Sequence, residues 1–136
     1  MNDTSIYLSG YGIRPSVQRI AIMRYIRKNR THPTADEIFE ALKDEIPTLS
    51  KTTVYNTLKL FVDNGAALYL GIDEKNARFD GFIEPHAHFR CKKCGQILDL
   101  PMDIDSFLPN NFSGTIEESY FYLKGICEDC KKKITK

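Results

Sequence analysis

Apolar residues recur at helical spacing through the first half of this chain and at alternating spacing in the second. After Arg14 and Pro15, the residues Val17, Ile20, Ala21 and Tyr25 fall on one side of a helical wheel with arginines between them. That pattern predicts an amphipathic helix opened by proline. Thr34-Ala35-Asp36-Glu37 then forms a capping box, in which Thr34 and Glu37 satisfy two backbone N–H groups that a helix start leaves orphaned. Ala35, Ile38, Phe39 and Leu42 line the inner face of this second helix. A third is expected from near Ser50 to Asn64-Gly65, where glycine takes the left-handed closing position, with Val54, Leu58, Phe61 and Val62 as its buried stripe. Ala67 to Ile72 and Asn76 to Phe79 read as two short strands around Asp73-Glu74-Lys75, and Ser119 to Ile126 as another. Three helices followed by a hairpin is the plan of a winged helix-turn-helix, whose third helix enters the major groove of DNA.

The polar side of that third helix fits this plan. Lys51, Thr52, Tyr55, Asn56 and Lys59 fall within roughly 140° of arc, a face that with Thr53 can reach phosphates and base edges. Residue types change near Asn76, so two small units are expected. The fold class is α+β: a winged-helix DNA-binding domain at 1–79, a hinge at 80–85, and a small α/β dimerisation and metal-binding domain at 86–136.

Composition is that of a globular protein, with 42% hydrophobic and 27% charged residues. No stretch has the roughly 20 apolar residues that cross a bilayer, and the first twelve residues lack the regions of a secretory signal, so the expectation is a cytoplasmic protein with no membrane partner. The net charge is only +1, but its distribution is uneven. The first 30 residues hold Arg14, Arg19, Arg24, Arg27, Lys28 and Arg30 against Asp3 alone. A basic first helix beside a polar third one makes Arg14 and Arg19 candidate DNA contacts as well.

All four cysteines lie in the second half, as Cys91-Lys92-Lys93-Cys94 and Cys127-Glu128-Asp129-Cys130. Two thiolates three residues apart occupy two corners of a tetrahedron, and a second pair closes a four-cysteine Zn²⁺ site, one per subunit. Disulfides are disfavoured in a reducing cytoplasm, and redox chemistry would need only one pair. A domain of some fifty residues buries too little surface to fold alone, so zinc and a homodimer partner are both expected to be needed. The three histidines are His32, His86 and His88. In an extended segment, alternation puts His86 and His88 on one face and Cys91 on the other. Asp80 and Asp99 are nearby acids, and a nitrogen and oxygen donor set without sulfur suits Fe²⁺ or Mn²⁺ while tolerating Zn²⁺.

Together these segments resemble the Fur (ferric uptake regulator) superfamily over nearly the whole chain. The resemblance is carried by Arg14-Pro15-Ser16-Val17-Gln18-Arg19, by His32-Pro33-Thr34-Ala35-Asp36-Glu37-Ile38 and by the helix from Ser50 to Leu58. It continues through Ala77-Arg78-Phe79-Asp80, the run from His86 to Gly95, and Gly125-Ile126-Cys127-Glu128-Asp129-Cys130. It implies a repressor that binds double-stranded operator DNA as a homodimer, with one regulatory Fe²⁺ or Mn²⁺ per subunit held by His32, Asp80, His86, His88 and Asp99. Within the superfamily an aspartate eight residues after the first zinc cysteine is typical of the peroxide-sensing (PerR) branch, and iron-uptake regulators usually carry glutamate. Asp99 occupies that position, with Asp103 and Asp105 as competing carboxylates. The resemblance therefore implies loss of DNA binding when a ligand histidine, His32 or His86, is oxidised. The alternative is an iron- or manganese-responsive repressor of metal uptake without peroxide sensing. Pro85 and Ala87 depart from the pattern of an additional metal site seen in many iron-uptake regulators, so two metals per subunit are expected. Apart from metal ions and peroxide as signal, no small-molecule substrate is implied. Two other classes compete: a metalloenzyme, for which five protein ligands leave little room at the ion, and a zinc-ribbon adaptor, which would lack the basic DNA-facing surface.

Overall fold

In the computed structural model, residues 3–29, 31–73, 75–83, 86–116 and 119–134 are described, without the side chains at 104, 105 and 134. Residues 84 and 85 of the expected hinge, and Glu74 at the expected hairpin tip, lie outside the described residues, as do Arg30 and the side chain of Asp105. The chain forms two compact units, Met1–Ile83 and Glu84–Lys136.

Among the described residues the first unit holds four helices and a hairpin: α1 (Asp3–Gly10), α2 (Val17–Lys28), α3 (Ala35–Leu42), α4 (Lys51–Asp63), β1 (Leu68–Leu70) and β2 (Arg78–Asp80). Local chemistry sets the starts of α2, α3 and α4. Ser16 accepts from the Arg19 amide at 3.2 Å, and Ser50 from the Thr53 amide at 3.1 Å. The capping box of α3 is complete, with the Glu37 amide donating to Thr34 Oγ1 and the Thr34 amide to Glu37 Oε1, both at 3.1 Å. Each such cap stabilises its helix by about 1 kcal/mol. Val54, Leu58 and Phe61 of α4 are fully buried against Ile38, Ile22, Met23 and Ile26, and this cluster is the core of the unit.

Three details differ from the pattern read along the chain. Helix α1 was not expected, because only Leu8 in it is fully buried. It is anchored instead by Tyr7, whose hydroxyl donates to the Ala66 carbonyl at 2.7 Å and whose ring lies 4.0 Å from the Arg27 guanidinium. Burial beside Tyr11 pushes the Tyr7 hydroxyl up to about 12. Helix α2 buries a wider face than expected: Ile20, Ala21 and Tyr25 pack against the core as read, Ile22, Met23 and Ile26 are fully buried beside them, and Val17 alone of the expected stripe is 76% exposed. Strand β2 runs later than expected and takes in Asp80, pairing antiparallel with β1 as Leu68↔Asp80, Tyr69↔Phe79 and Leu70↔Arg78.

The second unit is a three-stranded sheet of order β4-β3-β5 with a terminal helix. Its elements are β3 (Ala87–Cys91), β4 (Ile97–Leu100), a 3-10 turn at Ile104–Phe107, β5 (Tyr122–Gly125) and α5 (Glu128–Ile134). β3 and β4 are antiparallel, with His88 opposite Asp99, whereas β3 and β5 are parallel, with Cys91 opposite Gly125. Alternation gives this sheet a polar face with His88, Arg90, Asp99 and Tyr122, and an apolar one with Phe89, Leu98 and Leu123.

Gly81 permits the close approach of the end of β2 to α2. A Cβ there would meet Arg27 Cγ at 2.8 Å and the Arg27 nitrogen and Ile26 carbonyl carbon at 3.0 Å. Because two of those atoms are helix backbone, Gly81→Ala should cost about 1–3 kcal/mol, read as a lowered urea midpoint in far-UV circular dichroism.

Candidate metal centres and nucleic-acid face

The four thiols converge because β3 and β5 run side by side. Cys91 ends β3, and the chain returns to β4 through Gly95, whose φ of 78° is the left-handed conformation such a turn needs. The Lys92 amide donates to the Gly125 carbonyl at 2.7 Å, which sets Cys127 beside Cys91, and the first turn of α5 brings in Cys130. One sulfur from each of Cys91, Cys94, Cys127 and Cys130 lies within 4.8 Å of all the others, with Cys94 and Cys127 3.7 Å apart. A tetrahedron of Zn–S bonds of about 2.3 Å has edges of about 3.8 Å, so the spacing suits a Zn²⁺-sized ion. None of the four is in a disulfide. The amides of Cys94 and Cys127 point at Cys91 Sγ from 3.5 and 3.4 Å and hold its thiol down at about 5. The neighbouring Cys127 thiol and burial push Cys130 up to about 12. This cluster favours one thiolate and resists adding negative charge unless a cation is shared.

Each unit supplies sulfur-free donors. In the second, His86 and His88 present their Nε2 atoms 3.0 Å apart, and Asp99 Oδ1 lies 3.2 Å from the first and 3.3 Å from the second. Two imidazole nitrogens at that separation cannot both carry protons aimed at each other, so at least one lone pair faces the shared volume. The cross-strand register of His88 with Asp99 explains why the carboxylate is there. Asp103 is exposed.

In the first unit, His32 Nε2 lies 3.5 Å from Asp80 Oδ2, both side chains being 1% exposed. Asp80 Oδ1 accepts from the Phe82 amide at 2.8 Å. His32 has a φ of 58°, seldom adopted by a residue bearing a side chain. The Pro33 carbonyl accepts from the Phe79 amide at 3.0 Å, so β2 holds the backbone beside His32.

On α4, Lys51, Thr52, Tyr55, Asn56 and Lys59 are exposed. Thr53 is half-buried, its hydroxyl 2.9 Å from that of Ser50. Arg14, Arg19, Thr53 and Asn56 line a cleft of about 660 Å³ between the start of α2 and α4. Arg19 Nη1 donates to the Arg14 carbonyl at 2.9 Å, and Lys59 pairs with Asp63 at 2.9 Å. The latter is an exposed pair of little energetic weight, so the ammonium remains able to turn to another anion.

Arg78 and Asp73 were not singled out in the sequence. Arg78 Nη1 donates to the His32 carbonyl at 3.0 Å and its Nε to Asp73 Oδ2 at 2.9 Å. The available signal was period two in β2, which places Arg78 on the same side as Asp80.

Comparison with known proteins agrees with this architecture. The ferric uptake regulator family model matches residues 10–110. The peroxide-responsive repressor PerR of Staphylococcus epidermidis is 34% identical over 126 residues, covering 90% of this chain and 84% of that protein. PerR of Staphylococcus saprophyticus is 31% identical over 137 residues, covering 98% and 93%. Among solved structures, the ferric uptake regulator of Pseudomonas aeruginosa with manganese superposes with a TM-score of 0.75 at 18% identity, covering 93% of this chain and 99% of that one. PerR from Streptococcus pyogenes superposes at 0.52 with 31% identity, covering 92% and 88%. The matched segment, the identity to these repressors and the shared fold lead to one assignment: this chain belongs to the ferric uptake regulator family.

Proposed function

We propose that this protein is a metal-dependent, DNA-binding transcriptional repressor that acts in the cytoplasm as a homodimer and senses peroxide. The observation that carries this reading is the convergence of His86, His88 and Asp99 in a sulfur-free donor group, apart in character from the four thiols. The identity to peroxide-responsive repressors supports the peroxide branch. No helix among the described residues is long and apolar enough to cross a membrane.

On this reading Cys91, Cys94, Cys127 and Cys130 hold one structural Zn²⁺ per subunit, and their spacing fits the ion. His32, Asp80, His86, His88 and Asp99 serve one regulatory Fe²⁺ or Mn²⁺, for which imidazole and carboxylate donors are suited. Because two of these ligands belong to the first unit and three to the second, ligation by all five couples the DNA-reading unit to the dimerising one. A dimer reads two half-sites only if its recognition helices are spaced by about 34 Å or a multiple, so that coupling governs operator binding. The exposed Leu98, Leu123 and Ile126 give the second unit an apolar surface for the partner subunit. Lys51, Thr52, Tyr55, Asn56 and Lys59 face the duplex from α4, with Thr53, Arg14 and Arg19 beside them.

When bound, ferrous iron supplies the electrons that reduce peroxide and so the oxidant for an adjacent imidazole, whereas manganese in the same ligands reacts poorly. An imidazole of His32 or His86 that has gained oxygen no longer ligates normally, and repression ends. This is a single event per molecule rather than turnover, and the protein is not an enzyme.

Three measurements follow. Anaerobic iron-loaded protein treated with stoichiometric peroxide should gain the mass of one oxygen atom on a peptide containing His32 or His86, and the manganese-loaded protein should not. Unchanged mass on both peptides would move the reading to a metal-uptake repressor. Zinc affinity, from competition with a chromogenic chelator, should fall as pH drops toward the value of about 5 at which Cys91 itself is protonated. The sign follows from linkage: a thiol lowered in the folded state favours the ionised, metal-ready cluster at higher pH, and that advantage is lost on acidification. Finally, Lys59→Ala should weaken duplex binding across sequences and reduce the slope of log affinity against log salt by about 0.9.

A further inference from the structure

Two residues of β2 address His32 from the same side of the strand. Asp80 meets its imidazole at 3.5 Å, and Arg78 Nη1 donates to its carbonyl at 3.0 Å. The same guanidinium is engaged twice more. Its Nε donates to Asp73 Oδ2 at 2.9 Å, and Nη1 lies 3.6 Å from Glu37 Oε1. The two acids differ in setting, Asp73 being nearly buried and Glu37 55% exposed. Asp73, at 9% exposure, also accepts from the Lys75 amide at 3.0 Å, while Glu37 is locked into the capping box of α3. Arg78 thus ties the loop between β1 and β2, the start of α3 and the peptide of His32 into one fork. It acts on the residue whose backbone has the unfavourable φ of 58°. That conformation must be held from outside, because the residue itself disfavours it. A further tie to this segment, the Thr34↔Arg78 bridge in which the Phe79 amide donates to the Pro33 carbonyl, also comes from β2.

We propose that Arg78 is the positioning residue for His32, and that Asp73 makes the wing part of the metal switch by anchoring Arg78. The inference rests on the reading of His32 as a ligand of the regulatory ion. Arg78 touches no metal; it fixes where the imidazole stands. A planar fork with several donors can grip the carbonyl and both acids at once, which a lysine ammonium on a flexible stem does less well.

The test uses full-length, zinc-loaded protein titrated with Mn²⁺, with the free ion followed by electron paramagnetic resonance. Arg78→Lys should weaken Mn²⁺ binding roughly tenfold, the usual effect of removing an outer-sphere support, while the metal-free protein melts near the wild-type temperature. Asp73→Asn should shift affinity in the same direction, and the double variant should bind no more weakly than Arg78→Lys alone. Binding of Arg78→Lys to a duplex selected from a random pool on Mn²⁺-loaded wild type should be restored by excess Mn²⁺. A merely structural arginine would not give that rescue. Wild-type Mn²⁺ affinity in Arg78→Lys, or lost duplex binding that excess Mn²⁺ leaves unchanged, overturns the inference alone. A wild-type protein that binds no Mn²⁺ overturns the reading of His32 as a ligand and this inference with it.

Discussion

Four sulfur atoms held within 4.8 Å of one another organise the second unit. Among its described residues the buried apolar set is small, consisting of Ala87, Ile97 and three of the cysteines. A unit of this size cannot offset the conformational entropy of folding with so little burial. The thiols themselves resist accumulating charge, since lowering one raises another, as the opposite directions of Cys91 and Cys130 show. A shared cation removes that repulsion and contributes binding energy directly to folding, so the sheet carrying His88 and Asp99 inherits its rigidity from the sulfur cluster.

The first unit is organised by different means. Its helices are capped by Ser16, Thr34 and Ser50, and its interior is a conventional apolar cluster around Phe61 and Leu58. Within that stable frame one residue, His32, is held in an unfavourable backbone conformation and buried against a carboxylate. Among the described residues His32 is the one non-glycine residue with a positive φ, a conformation that its surroundings must hold.

How much of this was legible in the sequence depended on how local each determinant is. The capping box of α3 and the start of α4 involve residues three apart, so both could be read from the chain. The two Cys-x-x-Cys pairs and the alternation of His86 and His88 were equally readable, because spacing alone defines them. Helix α1 was not, since its anchor joins Tyr7 to Ala66, 59 residues away. The face of α2 was read only in part: Ile20, Ala21 and Tyr25 do pack on the core, but Ile20, Ala21, Ile22 and Met23 form a continuous apolar run that offers more than one helical stripe. Packing against α1 and α3 then selects Ile22, Met23 and Ile26. Arg78 escaped notice for the same reason as α1: its meaning lies in partners 5 and 46 residues distant, not in its neighbours.

The parallel pairing of β3 with β5 has a consequence for how the protein is made. The contacts within the first unit are available once its last residue, Ile83, has left the ribosome. The sheet of the second unit must wait for Tyr122–Gly125 before its central strand gains its second neighbour. Loop closure over that span is slow compared with assembly of a helical bundle. During each round of synthesis the first unit is therefore able to fold before the second, whose four sulfurs come together only when the final cysteine pair has been made.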